Sequence, residues 1–154
     1  MDFDTIFNNI LKLHEYLIEI GVISGNTKRK DTYKLGLTNA EIMFINENGS
    51  PLRHIPARPV LQMTIAWANQ NLLNPTIDRC IEKYINSGFN EEEVEKELNR
   101  MCMRMENYAR QIIYSNDGRL APNAPSVAKA KGGNHPLFDT GQLVRSITCK
   151  LIKL

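Results

Sequence analysis

Apolar residues recur at three- and four-residue steps from the start of the chain: Phe3, Ile6, Phe7, Ile10, Leu11, Leu13, Leu17 and Ile20. The spacing predicts an amphipathic helix over 3–20, capped by Asp2 or Asp4 and stopped at Gly21. Val22-Ile23-Ser24 reads as a short strand ending at the turn pair Gly25-Asn26, before the basic triplet Lys28-Arg29-Lys30. Thr38 and Glu41 have capping-box spacing, so a helix should run through Met43, Phe44 and Ile45 to Asn48-Gly49. Ile55-Pro56-Ala57-Arg58-Pro59 must be extended, because each proline disfavours helix for the residue before it. Pro59 suits a helix start, where no N–H partner is needed.

That next helix should bury Val60, Leu61, Thr64, Ile65, Ala68 and Leu72, and break or kink at Asn74-Pro75. A further one carries Ile77, Ile81, Tyr84 and Ile85 and stops at Ser87-Gly88. Asn90 and Glu93 form another box pattern, opening a long helix with Val94, Leu98, Met101, Met105, Tyr108, Ala109 and Ile112 on its buried side. Its acidic start (Glu91, Glu92, Glu93) and later Arg100, Arg104 and Arg110 follow the sign of the helix dipole, which explains the acidic run without catalysis or metal. Residues 115–136 are punctuated by glycine and proline and hold few large apolar groups, so they read as a long mobile loop. Asp139 with Gln142 suggests a third box, and 147–152 alternate as a strand. The fold class expected is α+β: one domain over 1–154, with an antiparallel sheet from segments near 22–37 and 144–153 packed by long helices.

Composition bounds the function. The 154 residues include 42% apolar and 23% charged, which describes a globular chain able to bury its own core. Lys+Arg number 19 against 17 Asp+Glu, so the net charge is +2 and the strongly basic profile of many nucleic-acid binders is absent. The sum hides an acidic beginning (Asp2, Asp4, Glu15, Glu19) and a basic end (Arg119, Lys129, Lys131, Arg145, Lys150, Lys153). No apolar run could span a bilayer and the acidic start is unlike a signal peptide, so a cytosolic origin is expected. Cys80, Cys102 and Cys149 are far apart and read as small apolar thiols. His14, His54 and His135 form no ligand cluster; His135 and Asp139 are close enough in sequence for a weak acid/base pair, but no nucleophile accompanies them. No phosphate-binding loop, dinucleotide fingerprint or nucleophile elbow occurs, and an enzyme is not expected.

Two segments carry a resemblance. The first is Ala40-Glu41-Ile42-Met43-Phe44-Ile45-Asn46-Glu47-Asn48-Gly49-Ser50, followed by Ile55-Pro56-Ala57-Arg58-Pro59-Val60-Leu61. The second runs from Lys131-Gly132-Gly133 through Pro136-Leu137-Phe138-Asp139-Thr140-Gly141-Gln142-Leu143 to Ser146-Ile147. Together they resemble the tail-completion or neck proteins of tailed bacteriophages, the virion morphogenesis proteins, with Val60 where that family usually has Phe. The resemblance implies a non-catalytic structural protein of the head–tail junction, without cofactor. It would be made in the host cytoplasm and built into the virion. Its partners would be copies of itself in a closed head-to-tail ring, the head connector and tail proteins, with DNA passing through the lumen unread. Arg58, Arg119, Lys129 and Lys131 are the candidate assembly-interface residues, because assembly contacts concentrate in loops. The alternative is a small nucleic-acid-binding adaptor using Lys28-Arg29-Lys30 and the 119–131 loop on phosphate.

Overall fold

A computed structural model describes residues 3–11, 15–23 and 36–154. Its elements in chain order are α1 (Phe3–Leu11), β1 (Tyr16–Gly21), α2 (Asn39–Asn48), α3 (Val60–Asn71), α4 (Leu73–Asn86), α5 (Glu91–Ser115), α6 (Pro125–Lys131), α7 (Gln142–Ser146) and β2 (Thr148–Lys153). β1 and β2 form a two-stranded antiparallel sheet laid on a helical layer, so the fold is α+β.

The α5 helix is the spine. Val94, Met101, Met105, Ala109 and Ile112 recur along it and are buried. They contact α4 at one end, α3 and the sheet in the middle, and α7 at the other. Val60, Thr64 and Ala68 of α3 and Leu72 just after it are buried, one every four residues, but Leu61 is half-buried and Ile65, expected on the same face, is 45% exposed. Thr64 satisfies its hydroxyl by donating to the Val60 carbonyl at 2.8 Å. The expected break between α3 and α4 falls at Leu72, so Pro75 lies in the first turn of α4, where its missing N–H costs nothing. The Thr38 capping box forms: Thr38 accepts from the Glu41 N–H, and Glu41 accepts from the Thr38 N–H at 2.7 Å. At Asn90 only half a box forms; its side chain accepts from Glu92 N–H, while Glu93 pairs with Lys96 at 2.5 Å. There is no box at Asp139: α7 starts from Gly141 at φ 75°, with no side-chain cap.

Two expected elements differ. The first helix ends at Leu11, and Tyr16–Gly21 is strand, not helix. Consequently the sheet pairs 16–21 with 148–153, in register from Tyr16↔Lys153 to Gly21↔Thr148, rather than using 22–37. Tyr16, Ile18 and Ile20 alternate with Leu17 and Glu19, a period of two inside a segment that also satisfies a helical period. The long-range pairing and apolar backing from Ala68, Leu72, Met101 and Met105 decide the outcome. The proposed strand at 22–24 runs past the described residues at Ser24, and the Lys28-Arg29-Lys30 triplet and His14 lie wholly outside them. The 115–136 stretch is not without structure: it contains α6, with Pro125 at its start and Gly132 at its end, φ 71°.

Candidate functional site

The two motif segments meet at one end of α5. Glu47, near the end of α2, is buried, and its carboxylate accepts from the backbone N–H groups of Leu61 (3.0 Å) and Gln62 (2.8 Å). Pro59 offers no capping side chain, so Glu47 caps α3 from a neighbouring helix, with its charge at the positive end of the helix dipole. Gly49 follows at φ 73°; a Cβ there would stand 2.8 Å from Ala57 N and 2.9 Å from Ile55 O. The close approach is sealed by paired backbone bonds between Ser50 and Ile55. The Glu-x-Gly spacing therefore has a local cause: one residue caps α3, the other lets the extended strap 55–59 run against the end of α2.

Arg58 projects from that strap and is 6% exposed. Its guanidinium donates to Ala121 O (2.7 Å), Asn46 Oδ1 (2.8 Å) and Pro122 O (2.8 Å). Its own backbone N–H donates to Asn46 O at 2.6 Å. Burial lowers its pKa, but a guanidinium remains cationic. Arg58 is thus a buried clamp holding the 121–122 chain to α2, neither the exposed contact residue expected from the sequence nor half of an intramolecular salt bridge. Beneath it, Met43, Val60, Leu143, Val144 and Ile147 share one core cluster, joining α2, α3 and α7. Gly141 sits against Phe138 and the Arg145 side chain, and Arg145 donates to Thr140 O at 3.0 Å.

The other three interface candidates separate into different roles. Arg119 pairs with Asp117 (2.7 Å) and donates to Tyr108 OH (3.3 Å), with its guanidinium 5.9 Å from the Tyr108 ring centre. Tyr108 in turn stacks on Trp67 at 4.0 Å. The arginine's hydrogen bond holds the Asp117 carboxyl far below its usual range, and the same bond raises Arg119. Lys131 is half-buried and donates to Phe138 O at 3.2 Å. Lys129, in the last turn of α6, is exposed, and its side chain, alone of the four, makes no hydrogen bond or ion pair among the described residues. His135 does not face Asp139. Its Nε2 donates to Ile113 O at 2.7 Å, and its ring stacks on Phe138 at 4.8 Å.

A second charged centre was missed by the sequence reading. Glu97 on α5 is 2% exposed and accepts from Lys83 (2.5 Å), Arg79 (3.3 Å) and Arg100. The Lys83 bond and the Arg100 charge outweigh burial and lower its pKa. Its position, three after Val94 and four before Met101, places a carboxylate inside the apolar stripe, and that was the available signal. Burial, with Glu97 nearby, pushes the Cys80 thiol up to about 11, which makes it an inert thiol. Cys102 and Cys149, distant in sequence, are neighbours across α5 and β2, and the Cys102 thiol together with burial raises the pKa of Cys149. Glu106 anchors the same place, accepting from Cys149 N–H at 3.1 Å and pairing with Arg110 at 2.8 Å.

Among the described residues no three His, Cys, Asp or Glu side chains stand close enough to hold a metal ion. No helix among them is long and apolar enough to cross a membrane. No protein-family profile matches the chain, and neither a curated protein nor a solved structure is significantly similar to it.

Proposed function

We propose that this chain is a non-catalytic structural protein of a phage or prophage particle, acting at the head–tail junction in tail completion. The observation that carries the reading is the convergence of the two motif segments. Residues 40–61 and 131–147 are separated in the chain by α4 and α5 and most of α3 and α6. Even so, Met43, Val60, Leu143, Val144 and Ile147 pack in one cluster, with Arg58 clamping the chain just ahead of the second segment. A motif pair that folds as one unit is what shared ancestry of a domain would leave, whereas two chance matches need not touch.

The placement of charge supports the assembly role. Lys129 stands on an exposed short helix, and Glu19 lies exposed on β1 in the acidic first part of the chain. Opposite charges on different surfaces favour head-to-tail contacts between copies, and such contacts close into a ring when the rotation allows. The reading predicts that particles made without this protein accumulate as separate heads and tails under the electron microscope. Intact, infectious particles would refute it. Head and tail genes beside this one would support it. The adaptor reading draws on fewer free cations, because Arg119 is paired with Asp117 and Lys131 is bonded to Phe138.

A further inference from the structure

The sheet is narrower than the helical layer beneath it. Two strands spaced about 4.8 Å apart lie over three helices that are each about 10 Å across. The mismatch leaves a groove of about 410 Å³ beside β1, lined by Ile65, Leu73, Ile77, Leu98, Met101 and Met105 among others. Ile65 and Ile77 are 45% and 42% exposed on its wall.

The hydrogen-bond phase of the sheet leaves the same edge open. Leu154 N–H donates to Glu15 O, so alternate pairs inward from there, Leu17↔Ile152 and Glu19↔Lys150, exchange bonds. Tyr16, Ile18 and Ile20 are the other set, and their N–H and C=O groups point away from β2. On the β2 side one of the three outward N–H groups, that of Cys149, is taken by Glu106, and α5 packs beneath that strand. On the β1 side no group among the described residues bonds the backbone of Tyr16, Ile18 or Ile20. An open edge of this kind is a template for an added strand.

We propose that β1 and the groove beside it form a docking site for an extended segment of a partner protein, in which apolar residues alternate with lysine or arginine. The chemistry is read from β2, which already occupies the other edge of β1. It places Lys150 across from Glu19, Leu151 across from Ile18 and Ile152 across from Leu17. A strand on the open side meets the same residues, with the exposed Glu19 carboxylate among them. Its inward side chains drop onto Ile65, Leu73 and Ile77, while its backbone bonds to Ile18 and Ile20. Main-chain bonds supply affinity and alternate side chains supply selectivity. The site shares only Glu19 with the head-to-tail contacts proposed above; its open backbone edge and apolar groove do not enter that reading, so either can fail without the other.

The test uses the full chain, isotope-labelled for NMR, and a capped synthetic peptide Thr-Val-Lys-Leu-Ile-Lys, which is β2 with valine for its cysteine. Saturable binding is expected, with amide exchange of Ile18 and Ile20 slowed at least tenfold. Ile77→Lys should weaken binding at least tenfold with an unchanged circular dichroism spectrum; Ile65→Lys serves if that variant misfolds. A peptide N-methylated at alternate residues should not bind. No saturation up to millimolar peptide overturns the proposal. So does binding that survives Ile77→Lys and Ile65→Lys, or that tolerates N-methylation. Concentration-dependent self-association that Ile77→Lys abolishes also overturns it, since the occupant is then a second copy.

Discussion

Three charges are buried among the described residues, and two of them, Arg58 and Glu97, are held in opposite ways. Arg58 is a cation satisfied by two backbone carbonyls and one amide oxygen, all neutral. Glu97 is an anion satisfied by three cations whose side chains are 38–62% exposed. Removing Arg58 leaves three neutral acceptors without their donor and unties the 121–122 chain from α2. Removing Glu97 strands cations that can swing into water. A buried charge therefore matters less for its own burial than for the freedom of the groups it satisfies.

The contrast sets an order of effects. Arg58→Ala should cost the most, about 3–5 kcal/mol by denaturant unfolding, because charge-assisted bonds are lost and the carbonyls of Ala121 and Pro122 lose their donor. Proteolysis within 115–125 should rise in that variant; an unchanged cleavage pattern would mean that the clamp does not hold this segment. Next comes Gly49→Ala, expected to cost about 2–4 kcal/mol, since φ is 73° and the new Cβ meets backbone at 2.8 Å. Gly132→Ala is its control. It has a similar φ of 71° but open space around it, so it should cost only about 1 kcal/mol. Equal losses would show that backbone strain alone, and not the strap's close approach, makes Gly49 necessary.

Glu97→Gln should cost about 1–2 kcal/mol at neutral pH and should change the shape of the acid limb. The folded carboxyl lies below its ordinary value, so its stabilisation is full above the ordinary carboxylate range and is lost as pH falls toward the folded value. The variant should therefore lose less stability between about pH 5 and pH 3 than the parent, measured by thermal unfolding at stepped pH. The smallest stability effect belongs to Lys129→Glu, within about 0.5 kcal/mol, because its side chain is exposed and unbonded among the described residues. That variant sharpens the functional reading instead: loss of assembled particles with a fully folded subunit supports it, and normal assembly counts against a role for Lys129.

Legibility followed the range of the interactions. The Thr38 box, the α3 helix, the stop at Ser87-Gly88 and the extended 55–59 strap depend on neighbours within a few positions, and all could be read from the chain, although the buried α3 face is narrower than expected and leaves Ile65 exposed. The Tyr16–Gly21 segment could not, because its leucines and isoleucines fit both periods and its partner lies at the far end of the sequence. The site was half legible. The motif residues were visible, but their meaning was not: Arg58 looked like a surface charge until Ala121 and Pro122 closed over it. Glu97 was overlooked because two of its cations come from a different helix, α4.

The pairing of β1 with β2 also sets the order in which the molecule can fold. Its register joins residues more than 120 positions apart, and closing such a loop costs about 4 kcal/mol of chain entropy. The α4–α5 hairpin spends almost none, so it can nucleate while the strands are still searching. Substitutions in β1 and β2 should then speed unfolding and leave the refolding rate nearly untouched, with φ-values near zero, while those at the α4–α5 contact slow refolding.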